Sequence, residues 1–402
     1  MRKLWIFLLA CAMIVGLTGC SLFKKTEPME ESSETTTDAT SVPDSTDATT
    51  EGGGVIVAPP AVELTTVKLN STTENIRIFG FREVYSDKML PCNNPGSGFE
   101  IKISGEGGVV NVRTQTSDPV SFRLYVDGVA YNNANGSPYY TINGVKNIEI
   151  PAISAGEHTL RLIRVSDRAE GEAKFYNIAF VGAQVALEPL SEDALKVEFL
   201  GDGITGGEGL GVNVDDVTLS YSYLTAWGLK SDYSIVAFEG QGLISGNSAI
   251  GSSYGTADDY TTNSADVVVL NVGGVDFSAT GGGMIDSASF KIAYKTLLQK
   301  LREVNGAECK VVCVVTSSNA ALTSAVSEVC QGLGGDQCGF YLKTLTAPTG
   351  EIPSVAEHSA YAAELISYIS SIKDKVIGPR ELAKAEQGYG TEVDFDSAEW
   401  TT

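Results

Sequence analysis

The chain is short of bases and shorter still of histidine. Against 50 Asp and Glu stand 28 Lys and Arg, a formal net charge of −22, and only two histidines, His158 and His358, occur in 402 residues. So few bases exclude nucleic acid and an anionic bilayer surface as partners, because both are bound by clustered Lys and Arg. Two histidines far apart in the chain, with no Cys-x-x-Cys among seven cysteines, leave no zinc site. The Gly-rich run Gly201 to Gly209 lacks the Lys-Ser/Thr of a phosphate loop. No metal and no cofactor is expected. Part of the acidity is local: 27–51 and 381–399 carry many Asp and Glu and almost no bases, and read as solvated stretches.

What is present begins with a targeting pattern. Arg2 and Lys3 precede an apolar core, Leu4 to Gly16, too short for an ordinary transmembrane helix. Leu17-Thr18-Gly19-Cys20 follows and resembles the lipobox of bacterial lipoproteins, which implies lipidation at Cys20. The expected organisation is a signal over 1–19 and an acidic Ser/Thr-rich tether over 20–58. A β-sandwich over 59–185, an α/β domain over 194–376 and an acidic tail over 377–402 complete it. Such a chain is extracytoplasmic and anchored in the cell membrane by lipid. The tether cannot bury enough apolar surface to offset its ordering entropy, so it holds the folded part away from the bilayer.

From about Val62 to Val181 short alternating runs are punctuated by turns. Ile76 to Phe79, Phe99 to Ile103, Val109 to Val112, Phe122 to Val126 and Thr159 to Arg164 read as strands, with turn signals at Asn94-Pro95-Gly96, Asp127-Gly128, Asn135-Gly136 and Ala155-Gly156. This predicts an all-β jelly-roll sandwich. His158, at the start of a strand beside a turn, has a structural role. From Lys196 buried-type runs alternate with helical ones. Val197 to Leu200, Ile235 to Phe238, Val267 to Val272, Val311 to Val315 and Phe340 to Leu342 predict parallel strands. Val217 to Lys230, Ala288 to Val304, Ala320 to Gln331 and Val355 to Ile372 predict the helices that cover them. In such a layout ligands sit at the carboxyl ends of the strands.

Phe199-Leu200-Gly201-Asp202-Gly203-Ile204-Thr205 resembles the Gly-Asp-Ser-Ile-Thr block of the SGNH (GDSL) hydrolases. With Val126-Asp127-Gly128 and Ala155-Gly156-Glu157-His158-Thr159 upstream, Val62 to Ile372 resembles carbohydrate esterase family 2. The resemblance implies a flavodoxin-like three-layer α/β/α domain behind the sandwich, and acetylated polysaccharide as substrate. It also locates the departures. Gly203 stands where that family has its serine. Glu239-Gly240-Gln241-Gly242 keeps the glycines of the second block. In Gly273-Gly274-Val275-Asp276, Val275 replaces the asparagine whose amide serves the oxyanion. In Ile352-Pro353-Ser354-Val355-Ala356-Glu357-His358, Ile352 replaces the catalytic histidine, and His358 matches the second histidine, nearly two turns into the helix.

Loss of serine or histidine costs on the order of 10⁶ in turnover, so ordinary serine esterase chemistry is not expected. The expected ligand cleft comprises Asp202, Gly203, Gly240, Gly242, Gly273, Asp276 and Ile352. Its expected occupant is polysaccharide, bound without hydrolysis, with Tyr139, Tyr140, Tyr254 and Tyr260 as candidate stacking faces. Alternatives are residual carbohydrate O-deacetylation, a carboxylate site built from Asp202, Asp276 and Glu351, and a structural surface module with a protein partner. Cys330 and Cys338 flank a Gly-rich loop and are a candidate pair.

Overall fold

The structure is a computed structural model. It describes residues 63–375 apart from 84, 106, 192, 247–249, 251–253, 255–263, 279–284 and 316–318. The expected signal, Cys20, the tether, Tyr260 and the acidic tail lie outside the described residues.

The first half is antiparallel. Its strands are β1 (Thr65–Lys68), β2 (Ile76–Phe79), β3 (Leu90–Pro91), β4 (Gly98–Gly105), β5 (Gly108–Val126), β6 (Val129–Tyr131), β7 (Tyr140–Ile153), β8 (Gly156–Arg164), β9 (Ala173–Phe180) and β10 (Ala183–Val185). They form one sheet in the order β1-β9-β5-β8-β4-β10, with β2 on β4, β3 on β9, and both β6 and β7 on β5. Val109 to Val112 and Phe122 to Val126, expected as separate strands, belong to the single strand β5. Its register against β7 shifts between Thr116 and Val120. A bulge bends the strand locally, and β5 pairs with both β7 and β9 over Asn111 to Thr116 and with β8 over Phe122 to Val126. Asp127 and Gly128 both take positive φ, 52° and 80°, which closes the two-residue hairpin from β5 to β6.

The second half is a parallel sheet of β11 (Lys196–Asp202), β12 (Asp232–Phe238), β13 (Val267–Asn271), β14 (Lys310–Val315) and β15 (Phe340–Thr344), ordered β12-β11-β13-β14-β15. Its strands are apolar on both faces because both are covered. Leu200, Val236, Val268 and Leu270 pack into one core, while Phe199, Ile235, Val267 and Val269 pack into the other. The helices are α1 (Gly203–Gly206), α2 (Tyr221–Leu229), α3 (Ser287–Asn305), α4 (Ala320–Gly332) and α5 (Val355–Ile372). The helix expected over Val217 to Lys230 is interrupted. Asp216 accepts from the Thr218 amide and Ser220 from the Tyr223 amide, so a 3-10 turn at Val217–Leu219 precedes a freshly capped α2. Such side chains compete with helical hydrogen bonding and favour starts over interiors. A reciprocal capping box, Ser354 with Glu357, begins α5.

The two sheets are joined by a buried charge cluster. Glu198 sits in β11, inside the parallel sheet, and would carry an uncompensated charge there. Arg82, from the antiparallel half, meets it with two parallel bonds, Nε to Oε1 at 2.9 Å and a terminal nitrogen to Oε2 at 2.8 Å, and both side chains are fully buried. The same nitrogen donates to Asn305 Oδ1 at 2.6 Å, and Tyr254 donates to Glu198 at 2.6 Å. Nearby, Tyr233 of β12 donates to the Gly96 carbonyl at 2.9 Å. Replacing Arg82 by Ala is therefore expected to lower the unfolding free energy by about 3–5 kcal/mol. Pairing Arg82→Met with Glu198→Leu is expected to cost less than Arg82→Met alone. Urea midpoints measure both, and an Arg82→Ala loss below about 1 kcal/mol would contradict the assignment.

Candidate functional site

The carboxyl edge of the parallel sheet opens into a cleft of about 670 Å³. Asp202, Gly203, Ile204 and Glu208 supply one side of it, following β11. Glu239 and Gly240 come from the end of β12, Asn271, Gly274 and Val275 from the end of β13, and Pro348, Gly350, Glu351 and Ile352 from the loop before α5. The three departures from the esterase pattern, Gly203, Val275 and Ile352, thus line one cleft. Ile352 is 41% exposed, and its Cδ1 lies 3.7 Å from where a Cβ on Gly209 would stand. An aliphatic side chain so open to solvent is a wall rather than a base.

Gly203 is not a conformational glycine, since its φ lies outside the left-handed region. What excludes a side chain there is Glu208. A Cβ built on Gly203 would stand 3.1 Å from Glu208 Cβ and 3.0 Å from its carboxyl carbon, with Oε2 closer still. The Glu208 carboxylate therefore occupies the space a nucleophile side chain would take. The turn that returns Glu208 is closed by its own amide, which donates to the Gly203 carbonyl at 2.8 Å, and by Gly207 at φ 89°. No pattern in the sequence marks this contact, because it depends on a tight reversal over five residues.

Asp202 caps α1, its Oδ1 accepting from the Ile204 amide at 3.2 Å. Burial, with help from the Glu208 charge, pushes its carboxyl up to about 7 against the lowering effect of the backbone amides. Glu208 is also raised, by burial first and then by Glu239, Asp215, Asp167 and Glu351. Of these neighbours, Asp167 accepts from the Glu239 amide at 2.8 Å.

Other expected residues lie behind the cleft. Asp276 is fully buried and binds the loop after β12, accepting from the amides of Leu243 at 2.6 Å, Ile244 at 2.9 Å and Ser245 at 3.0 Å. Gly242 sits against that carboxylate, with its Cβ position 3.0 Å from Asp276 Oδ2. Gly273 faces Phe290 and Leu322, with φ 110° and its Cβ position 2.8 Å from the Phe290 ring. Neither these two glycines nor Asp276 lines the cleft. The carboxylate site of Asp202, Asp276 and Glu351 is accordingly not assembled, and the described residues hold no cluster of three metal-ligating side chains.

His358 is buried in α5. Its Nδ1 accepts from the Tyr221 amide at 3.0 Å, its ring stacks on Tyr221 with centroids 5.9 Å apart, and burial pulls its pKa down to about 4. It serves as a neutral acceptor at the start of α2. The expected stacking tyrosines are interior as well. Tyr139 is 9% exposed and donates to Asp216 at 2.9 Å, Tyr140 packs in the antiparallel core, and Tyr254 serves Glu198. Their hydroxyls answer buried polar groups, so their loop-like sequence context misleads. Cys330 and Cys338 are buried and not disulfide-bonded to each other; Cys330 faces Cys313 on β14.

One arrangement escaped sequence reasoning. Ser154 Oγ lies 3.2 Å from His158 Nε2, and His158 Nδ1 lies 2.7 Å from Asp127 Oδ2, a serine–histidine–aspartate chain at the end of the antiparallel sheet. The recess beside it measures about 10 Å³, room for one water and none for an acyl group. Asp127 also accepts from the Thr159 amide at 2.8 Å, which ties the hairpins at 127 and 156 together. Its role is to join two turns.

No protein-family model and no curated protein sequence matches the chain. Solved structures share its fold. A family two carbohydrate esterase from Cellvibrio japonicus aligns with a TM-score of 0.65 at 20% identity, over 78% of this chain and 99% of that one. One from Clostridium thermocellum, in complex with cellohexaose, gives 0.63 at 23% identity over 74% and 98%. An acetyl xylan esterase from the rumen bacterium Butyrivibrio proteoclasticus gives 0.64 at 18% identity over 77% and 98%. At these identities the likeness is one of fold, covering both the antiparallel sheet and the parallel one.

The titrations of Asp202 and His358 set opposite slopes. Asp202, raised from an ordinary 3.8 to about 7, favours the folded state at low pH, and that contribution is lost as pH rises through the interval. His358, lowered from 6.5 to about 4, contributes above 6.5 and loses its contribution as pH falls toward 4. Asp202→Asn removes the first slope alone. Its stability relative to the wild-type chain is expected to rise by up to about 4 kcal/mol between pH 4 and pH 7, read from denaturant midpoints. A difference constant across that interval would contradict the buried carboxyl.

Proposed function

We propose that this chain is a catalytically silent member of the carbohydrate-esterase fold that binds polysaccharide in the cleft above the parallel sheet. The observation that carries this is Glu208 filling the space beside Gly203. A chain that had merely lost its serine would keep an empty slot, whereas here the slot is closed by a carboxylate. Val275 and Ile352 remove a donor and a base from the same cleft, so the nucleophile, the base and one oxyanion donor of the esterase pattern are missing together. Gly240 and Gly274 leave the cleft open to a ligand, and Ile204, Val275 and Ile352 offer apolar surface to the C–H face of a sugar ring. Cellohexaose in the related structure supports carbohydrate as the occupant. The same proposal takes the antiparallel half as a jelly-roll, the N-terminal pattern as a lipoprotein signal and Cys20 as the lipidated residue, which would hold the cleft at the outer face of the cell membrane.

Residual O-deacetylation is the competing reading, and one experiment separates the two. The wild-type chain is expected to release acetate from acetylated xylan and 4-nitrophenyl acetate no faster than a denatured control, with no change on Ser154→Ala. Restoring the pattern requires four changes, Gly203→Ser, Val275→Asn, Ile352→His and Glu208→Ala, because a serine at 203 needs the space Glu208 holds. That variant is expected to exceed the wild type by about 10²-fold or more. Slower migration of the wild type in gels containing xylan or glucomannan is the matching binding result. Acetate release by the wild type would overturn the proposal.

A further inference from the structure

The chemistry of the cleft narrows what it takes. Among the described residues that line it are four carboxylates, Asp202, Glu208, Glu239 and Glu351, and no Lys, Arg or His. Arg168 lies over the Phe238 ring, 5.4 Å from its centroid, and is not part of the lining. Glu208 is half-buried between the cleft and the Gly203 turn, and every charge that acts strongly on it is another carboxylate. Bringing like charges together in a partly desolvated recess is unfavourable, and a bound cation relieves it. Val275 and Ile352 also line the cleft and supply apolar surface of the kind a pyranose ring covers. The volume lies within the range that accepts a ligand larger than a single small cation.

We infer that the cleft selects a glycan bearing free amino groups, a de-N-acetylated hexosamine polymer, whose ammonium sits against Glu208 and Glu351 while its rings cover Val275 and Ile352. This rests on the polysaccharide reading above: the cavity makes the site, and the carboxylates set its preference. An anionic glycan, such as a uronic acid polymer, is rejected by the same charges. A neutral glycan keeps the ring contacts and loses the ion pairs. An N-acetylated one loses them too and adds an amide with no charged partner.

Titration calorimetry on the full chain at about pH 6 and low salt tests this with glucosamine hexaose, N-acetylglucosamine hexaose, cellohexaose and spermine. Glucosamine hexaose is expected to bind about ten-fold tighter than either other hexaose, the gain of two partly screened ion pairs. The preference is expected to fall below about two-fold in Glu208→Gln/Glu351→Gln and to vanish near 0.5 M salt. Equal binding of glucosamine hexaose and cellohexaose would overturn this inference and leave the polysaccharide reading standing. Spermine binding as tightly as glucosamine hexaose would overturn the assignment of a glycan. No binding of any hexaose would overturn both readings.

Discussion

The Glu208 carboxylate, standing where a side chain on Gly203 would begin, constrains everything else about the cleft. It makes glycine at 203 a matter of space rather than of backbone angle, since a side chain there would displace Glu208. It brings a charge into the place of a nucleophile and sets that charge near Asp202, where it adds to the upward push of burial on the Asp202 carboxyl. The turn that delivers Glu208 is fixed by Gly207 at positive φ and by the Glu208 amide bonding back to the Gly203 carbonyl. The corner that mounts a serine in a hydrolase here mounts an acid in the reverse direction, from the far end of the turn.

Around that corner the supporting frame is intact. Asp276 ties the 243–245 amides, Asp202 caps α1, and His358 receives the Tyr221 amide. These groups hold loops whose position determines the cleft's shape, and they would be needed equally for cutting or for holding a ligand. The Arg82–Glu198 pair serves the same end at longer range, because β11, which leads into the corner, carries Glu198 and is steadied by the antiparallel half. A site that binds without reacting needs this frame as much as an enzyme does, since preorganisation limits the entropy lost on association.

Much of the architecture was legible because it is written in periodicity. The five parallel strands fall within a few residues of their apolar runs, and α5 begins and ends where its pattern does. The convergence of Gly203, Val275 and Ile352 was legible through block spacing, since each block ends a strand or opens a helix at one sheet edge. What the chain hid depends on contacts between residues with no shared period. Glu208 is one acid in a glycine run, and its direction follows from a turn. Asp216 and Ser220 break a helix that apolar spacing joins, and two strand patterns run on as β5 through a register shift between Thr116 and Val120. Tyr139 and Tyr254 have loop-like neighbours yet meet buried carboxylates. Ser154, His158 and Asp127 come together through two hairpins 30 residues apart, which no linear pattern records.

The central claim is that this cleft holds a glycan and leaves its ester bonds whole. Saturation-transfer NMR on an acetylated xylo-oligosaccharide incubated with the full chain tests both halves in one sample. The account predicts transfer to the sugar ring protons with acetyl signals unchanged over a day. Free acetate accumulating in the spectrum, or no transfer to the sugar at all, would contradict it.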